Sequence, residues 1–105
     1  MQDIILLYNI LKLNKNKIIY ICVNLILIVV FSLIYWFFGT PTNLTFGEQF
    51  TNSEKNLSYL SALYYACTTH STVGYGDITP KSKLMQCITI IHLIILILNL
   101  SILIL

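Results

Sequence analysis

Residues 72–77 read Thr-Val-Gly-Tyr-Gly-Asp, and the chemistry open to them lies in the backbone. Residues with side chains resist a run of peptides whose carbonyls all turn one way; glycines at alternate places relieve that resistance. Gly74 and Gly76 alternate here with Val73 and Tyr75. Oxygens aligned along an axis can replace the water shell of a cation in transit. Other chemistries are poorly served. Ser71, Asp77 and His92 are the right types for a nucleophilic triad, but nothing in their spacing indicates mutual hydrogen bonds. Gly74-x-Gly76 lacks the strand-to-helix setting of a nucleotide site. Cys22, Cys67 and Cys87 show no metal-ligand spacing and are expected to be free, buried thiols. No enzyme activity and no cofactor are expected.

The flanking residues set where such a backbone could sit. The chain has 105 residues, 57% of them hydrophobic, and a mean hydropathy of +0.82, too apolar for an ordinary soluble domain. Two apolar runs, 18–38 and 84–105, are long enough at about 1.5 Å per residue to cross a hydrocarbon core of roughly 30 Å. Residues 1–17 place Ile4, Leu7, Tyr8 and Leu11 on one helical face, with Gln2, Asn9, Lys12 and Asn16 on the other. An interfacial amphipathic helix fits that pattern; the alternative is a cytoplasmic extension of the first span, broken near Asn14–Asn16. Residues 39–56 are rich in Thr, Asn, Gly and Pro and read as a solvent-facing loop; Asn43 and Asn56 are possible glycosylation acceptors. Residues 57–69 suit a helix too short to span, capped by Asn56 or Ser58. Irregular backbone at membrane depth, here 70–79, is tolerated only where protein buries it or it lines a water-filled path. The net charge of +2 is too small to suggest nucleic acid.

Thr72 through Asp77, between a short helix and a second span, resembles the selectivity filter of potassium channels. The whole arrangement is similar to a two-span pore module, and its brevity is similar to the miniature potassium channels of large algal viruses. The resemblance implies an all-α membrane protein: two transmembrane helices, a re-entrant pore helix and a filter loop, assembled as a homotetramer in a lipid bilayer. It implies that K+ is coordinated by the carbonyls of Thr72, Val73, Gly74 and Tyr75 and by the Thr72 hydroxyl. Gly76 completes the string and lets the chain turn out, and Asp77 stands at the outer mouth. Tyr64, Tyr65, Thr68, Thr69 and Ser71 fall where the family supports its filter, with Tyr75 turned away from the ion path and tyrosine hydroxyls bonding mutually. Some potassium channels place a glutamate four residues before the filter threonine, paired with the aspartate. Thr68 stands there instead, which leaves open how Asp77 is held. His70 and Ser71 either tune the ion path or bond into the wall behind it.

Thr89, His92, Leu96 and Asn99 are spaced three, four and three apart and share one helical face. They either line an inner cavity or bond between helices. The lysines are split between Lys12, Lys15 and Lys17 before the first span and Lys55, Lys81 and Lys83 after it, so they hardly orient the chain. Two spans place both termini on one side; the resemblance makes it cytoplasmic, in a host plasma or internal membrane or a virion membrane. Gating is expected from the filter, the second helix or the inner mouth, where the terminal carboxylate could pair with Lys12, Lys15 or Lys17. The alternatives to a potassium channel are a regulatory membrane subunit that does not conduct and a weakly selective viral cation pore.

Overall fold

The computed structural model describes residues 1–11 and 15–104, with side chains at 1–7 and 15–102. The side chains at Tyr8, Asn9 and Leu11, and all of Lys12, Asn14 and the Leu105 carboxylate, lie outside the described residues. Helix α1 runs Gln2–Leu11, α2 Lys15–Phe37, α3 Tyr59–His70 and α4 Lys83–Ile104. Between α2 and α3 lie strand β1 (Leu44–Thr45) and one 3-10 turn (Glu48–Phe50); strand β2 (Thr79–Pro80) follows α3.

The two long helices are 23 and 22 residues, about 35 and 33 Å, and each is apolar enough to cross a membrane. Neither contains glycine or proline. Helix α2 is already formed at Lys15 and Asn16, so it starts three residues before the expected first span at Ile18 and the break of the alternative reading does not extend to them. It ends before Gly39, where an added Cβ would fall 2.6 Å from Leu57 Cβ. That close approach brings Leu57 N–H to the Gly39 carbonyl at 2.7 Å. Leu57 is therefore bridged in the loop, opposite Thr51, and does not join α3 as expected. Ser58 is the cap: its Oγ accepts from Ser61 N–H at 3.2 Å, one of the helix's first unpaired donors. Ser58→Ala is expected to weaken α3 by about 1 kcal/mol per chain. Heating the detergent-solubilised protein, with circular dichroism as the readout, checks this as a lower midpoint.

Helix α3 has 12 residues, about 18 Å, and so reaches only part-way through a bilayer. Its buried face (Ala62, Tyr65, Ala66) packs with Phe31 and Tyr35 of α2, Met85 of α4, and Leu44, Leu57 and Ile78. β1 pairs antiparallel with β2, Leu44 opposite Pro80 and Thr45 opposite Thr79, which ties the chain before α3 to the chain after the loop it carries. The Asn43 carbonyl accepts from Lys81 and Ser82 N–H at 2.8 and 3.1 Å, while Asn43 Nδ2 donates to the Phe38 carbonyl. An amide held this way is a poor glycan acceptor. Much of α2 and α4 remains exposed in one chain, including Leu25, Ile26, Ile94 and Ile97. Cys22, Cys67 and Cys87 are free but exposed, which corrects the expectation of burial. They lie on helix faces turned away from the α2–α3–α4 seam.

Candidate functional site: the loop after α3

The last turn of an α-helix leaves carbonyls without intrahelical partners, and the loop after α3 takes them up. Ser71 N–H bonds to the Cys67 carbonyl at 3.0 Å and Thr72 N–H to that of Thr69 at 3.1 Å. The Thr68 carbonyl receives two more, from Val73 at 3.0 Å and Gly74 at 3.3 Å. No described peptide is cis, and in a trans peptide the C=O points opposite to the N–H. The carbonyls of Thr72 and Val73, which share peptides with those two N–H groups, therefore point away from α3.

Every second residue here is left-handed: Thr72 at φ 63°, Gly74 at 56° and Gly76 at 83°, while Val73 and Tyr75 are not. The glycines carry this conformation without strain, and the β-branched Thr72 does not. The left-handed threonine is a feature residue type did not announce. Thr72 Oγ1 donates to the Ser71 carbonyl at 2.6 Å, which leaves the hydroxyl lone pairs free for a cation. Residues 71–77 are exposed in a single chain, and an added Cβ at Gly74 or Gly76 would meet nothing within 4 Å. The strand presents oxygens on a face that its own chain does not cover.

The end of the loop at Asp77 is held by a tyrosine. Tyr64 OH donates to Asp77 Oδ2 at 2.5 Å, and Asp77 Oδ1 accepts from Ile78 N–H at 3.0 Å. The partner left open by Thr68 is thus Tyr64. Tyr75, 69% exposed, stacks parallel to the Tyr64 ring with centroids 6.3 Å apart. The tyrosines do not bond mutually as expected, because Tyr64 and Tyr65 are successive on a helix and face about 100° apart. Tyr65 turns inward instead, edge-on to Tyr35, its hydroxyl 3.3 Å from Thr89 Oγ1. Thr68 Oγ1 donates to the Tyr65 carbonyl, and Ser71 Oγ to that of Cys67. Support from Thr68 and Thr69 comes chiefly through their carbonyls.

The Asp77 hydrogen bond, with lesser help from desolvation and the carboxylate charge, pushes Tyr64 up to about 12 from 10.0. A proton held more tightly in the folded state contributes stability below the unfolded value and loses it as pH rises through the folded one. That contribution is complete below pH 10 and gone above about 12. Spectrophotometric titration of tyrosinate is expected to lose a component near 12 in Tyr64→Phe. Titration that matches the parent protein would contradict the Tyr64–Asp77 bond.

The polar face of α4 meets protein. His92 is fully buried, stacked on Phe31 at 4.0 Å and 4°, with Nδ1 2.7 Å from Tyr35 OH and Nε2 3.1 Å from His70 Nδ1. Of the two readings open for His92, its contacts within one chain are those of bonding between helices. Helix rotation turns it into the seam with α2 and α3. Thr89 reaches Tyr65, and Asn99 Nδ2 donates to Asn24 Oδ1 at 3.1 Å. Leu96 on the same face is half-buried. His70 is buried, and that burial holds its imidazole below the usual range; its Nε2 lies 2.8 Å from Asn24 Oδ1. Asn24 did not enter the sequence-derived site. Its signal was available, as a carboxamide in the middle of an aliphatic span. The suggested pairing of Lys12 with the terminal carboxylate lies outside the described residues.

Comparison with known proteins bears on what this arrangement serves. A family model described as "Ion channel" matches residues 18–105. The potassium channel protein kcv of Paramecium bursaria Chlorella virus 1 is 36% identical over 72 residues, covering 69% of this chain and 74% of that protein. Two-pore potassium channel 4 of Arabidopsis thaliana is 40% identical over 67 residues, covering 64% of this chain. The chain spans 23% of the plant protein's length. Probable potassium channel protein 2 of Methanocaldococcus jannaschii is 41% identical over 39 residues, 37% of this chain and 11% of that protein. No solved structure matches the chain significantly.

Proposed function

The chain belongs to the ion channel family, among the two-span potassium channels of the miniature viral type, and from that premise we propose how it conducts. Four copies close around one axis, each lending a strand, and K+ crosses passively between the carbonyls of Thr72, Val73, Gly74 and Tyr75. Gly76 turns the strand out to an external mouth where Asp77 carboxylates concentrate cations. One observation carries the reading: left-handed residues at 72, 74 and 76, with the Val73 and Gly74 N–H groups turned to the Thr68 carbonyl and the opposite face open. One strand surrounds a cation on one side only, so the site calls for further copies to complete the shell. The exposed aliphatic faces of α2 and α4 suit lipid and neighbouring copies. Helix α1, with Ile4, Ile5, Leu6 and Leu7 exposed, lies along the cytoplasmic interface, and both termini are on that side.

The test is single-channel recording of the purified protein in planar bilayers with KCl on one side and NaCl on the other. Unitary steps reversing near the potassium equilibrium potential are expected. Equal passage of sodium, or silence from protein that runs as a tetramer, would overturn the reading.

A further inference from the structure

Asn24 stands in the N-terminal half of α2, and its carboxamide is oriented by a partner whose role is unambiguous. Nδ2–H donates to the Tyr20 carbonyl at 2.8 Å, and a carbonyl can only accept. Oδ1 therefore faces the opposite way, 2.8 Å from His70 Nε2 and 3.1 Å from Asn99 Nδ2. The same logic passes down a file of rings. An amide oxygen accepts, so His70 Nε2 bears the proton. In a neutral imidazole the other nitrogen then accepts, and the group 3.1 Å from His70 Nδ1 is His92 Nε2, which must donate. His92 Nδ1 in turn accepts, from the Tyr35 hydroxyl at 2.7 Å. Each assignment forces the next. The rings are neutral on this geometry: Phe31, Tyr35, Asn24 and one another are their recorded partners, and no carboxylate bonds to either among the described residues.

We propose that Asn24 is a positioning residue for conduction: its one carbonyl oxygen ties the filter base, through His70, and the C-terminal part of α4, through Asn99, to α2. The same atom locks both histidines as Nε2–H tautomers. This rests on the channel reading above. His70 is the last residue of α3 and lies two places before Thr72, whose N–H and that of Val73 hang from the α3 carbonyls. A shift of α4 that withdraws Asn99 changes what Oδ1 shares with His70, and so reaches the strand's inner end. The carbonyl ladder itself is untouched. Asn24 thus governs how long the filter stays conductive, and the carbonyls govern which ion passes.

Two measurements test this separately from the channel reading. Magic-angle-spinning NMR of the full chain, 15N-labelled at histidine and reconstituted in lipid, is expected to show both rings with protonated Nε2 and bare Nδ1. An Nδ1–H tautomer at either ring would overturn the proposal, whether or not the protein conducts. In Asn24→Leu both tautomers are expected at His70. In bilayer recordings Asn24→Leu is expected to lower open probability at least about fivefold, the scale of one lost buried hydrogen bond, with unitary conductance and potassium selectivity kept. Asn24→Gln, which keeps the amide, restores part of the loss. Asn99→Leu lowers open probability in the parent but adds nothing to Asn24→Leu, because both act through one oxygen. Unaltered open probability in Asn24→Leu channels, or independent effects of the two changes, would overturn the proposal. Should Asn24→Leu fail to assemble, the parent's tautomers still decide. A silent parent with the expected tautomers would overturn the conductive role and the channel reading together while leaving the tautomer assignment intact.

Discussion

Gly76→Ala is expected to cut potassium current by an order of magnitude or more while the assembled protein survives. At φ 83° an L-alanine Cβ crowds its own carbonyl, a cost of about 1–2 kcal/mol per residue. The cost is conformational, since no atom of the chain lies within 4 Å of an added Cβ. The backbone can escape by returning φ to negative values, and that rotation swings the Tyr75–Gly76 peptide, carrying the Tyr75 oxygen off the axis. In the proposed assembly each copy would bear the same fault, so the defect would repeat around the pore. Gly74→Ala, at φ 56°, is expected to do the same to the Val73 oxygen. Handedness supplies the control. D-alanine prefers positive φ, so semisynthetic protein with D-alanine at 76 is expected to conduct potassium where the L-form does not. Equal currents from the two enantiomers would show that glycine serves there for some reason other than its left-handed backbone.

The handedness of 74 and 76 was legible because the requirement is written in the residue that meets it. The two spans were legible because length and apolarity are properties of the segment alone. What escaped depends on where separate elements meet. Tyr64 and Asp77 are 13 residues apart, and only the return of the strand along α3 brings the hydroxyl to the carboxylate. The polar face of α4 was readable from its spacing, but a spacing does not say which neighbour the face meets. Helix rotation decides that, and it is set by Phe31 stacking on His92 and by Tyr35 and Met85 filling the seam. Asn24 shows the same limit: an isolated carboxamide announces that it needs partners, yet His70 and Asn99 lie 46 and 75 residues away. Leu57 was assigned to the helix by composition and lost to the loop because Gly39 admits its backbone.

The number of strands around the ion follows from mixing. Where each cation needs oxygens from every copy, one faulty strand suffices to break the shell, and an assembly conducts only if all its copies are intact. Equal amounts of parent and Gly76→Ala chains, assembled at random, would then leave roughly one-sixteenth of the current for closed fourfold symmetry, against roughly one-quarter for a dimer. The distinction is large enough to survive imperfect mixing ratios, and following the current across several ratios separates a fourth-power law from a square. Linear decline would mean that each chain carries its own path, which the open face of the strand argues against: residues 71–77 have no cover from their own chain, and a cation resting there would keep water on its far side. On the proposed reading, potassium would pass without its hydration only when the remaining oxygens come from other copies.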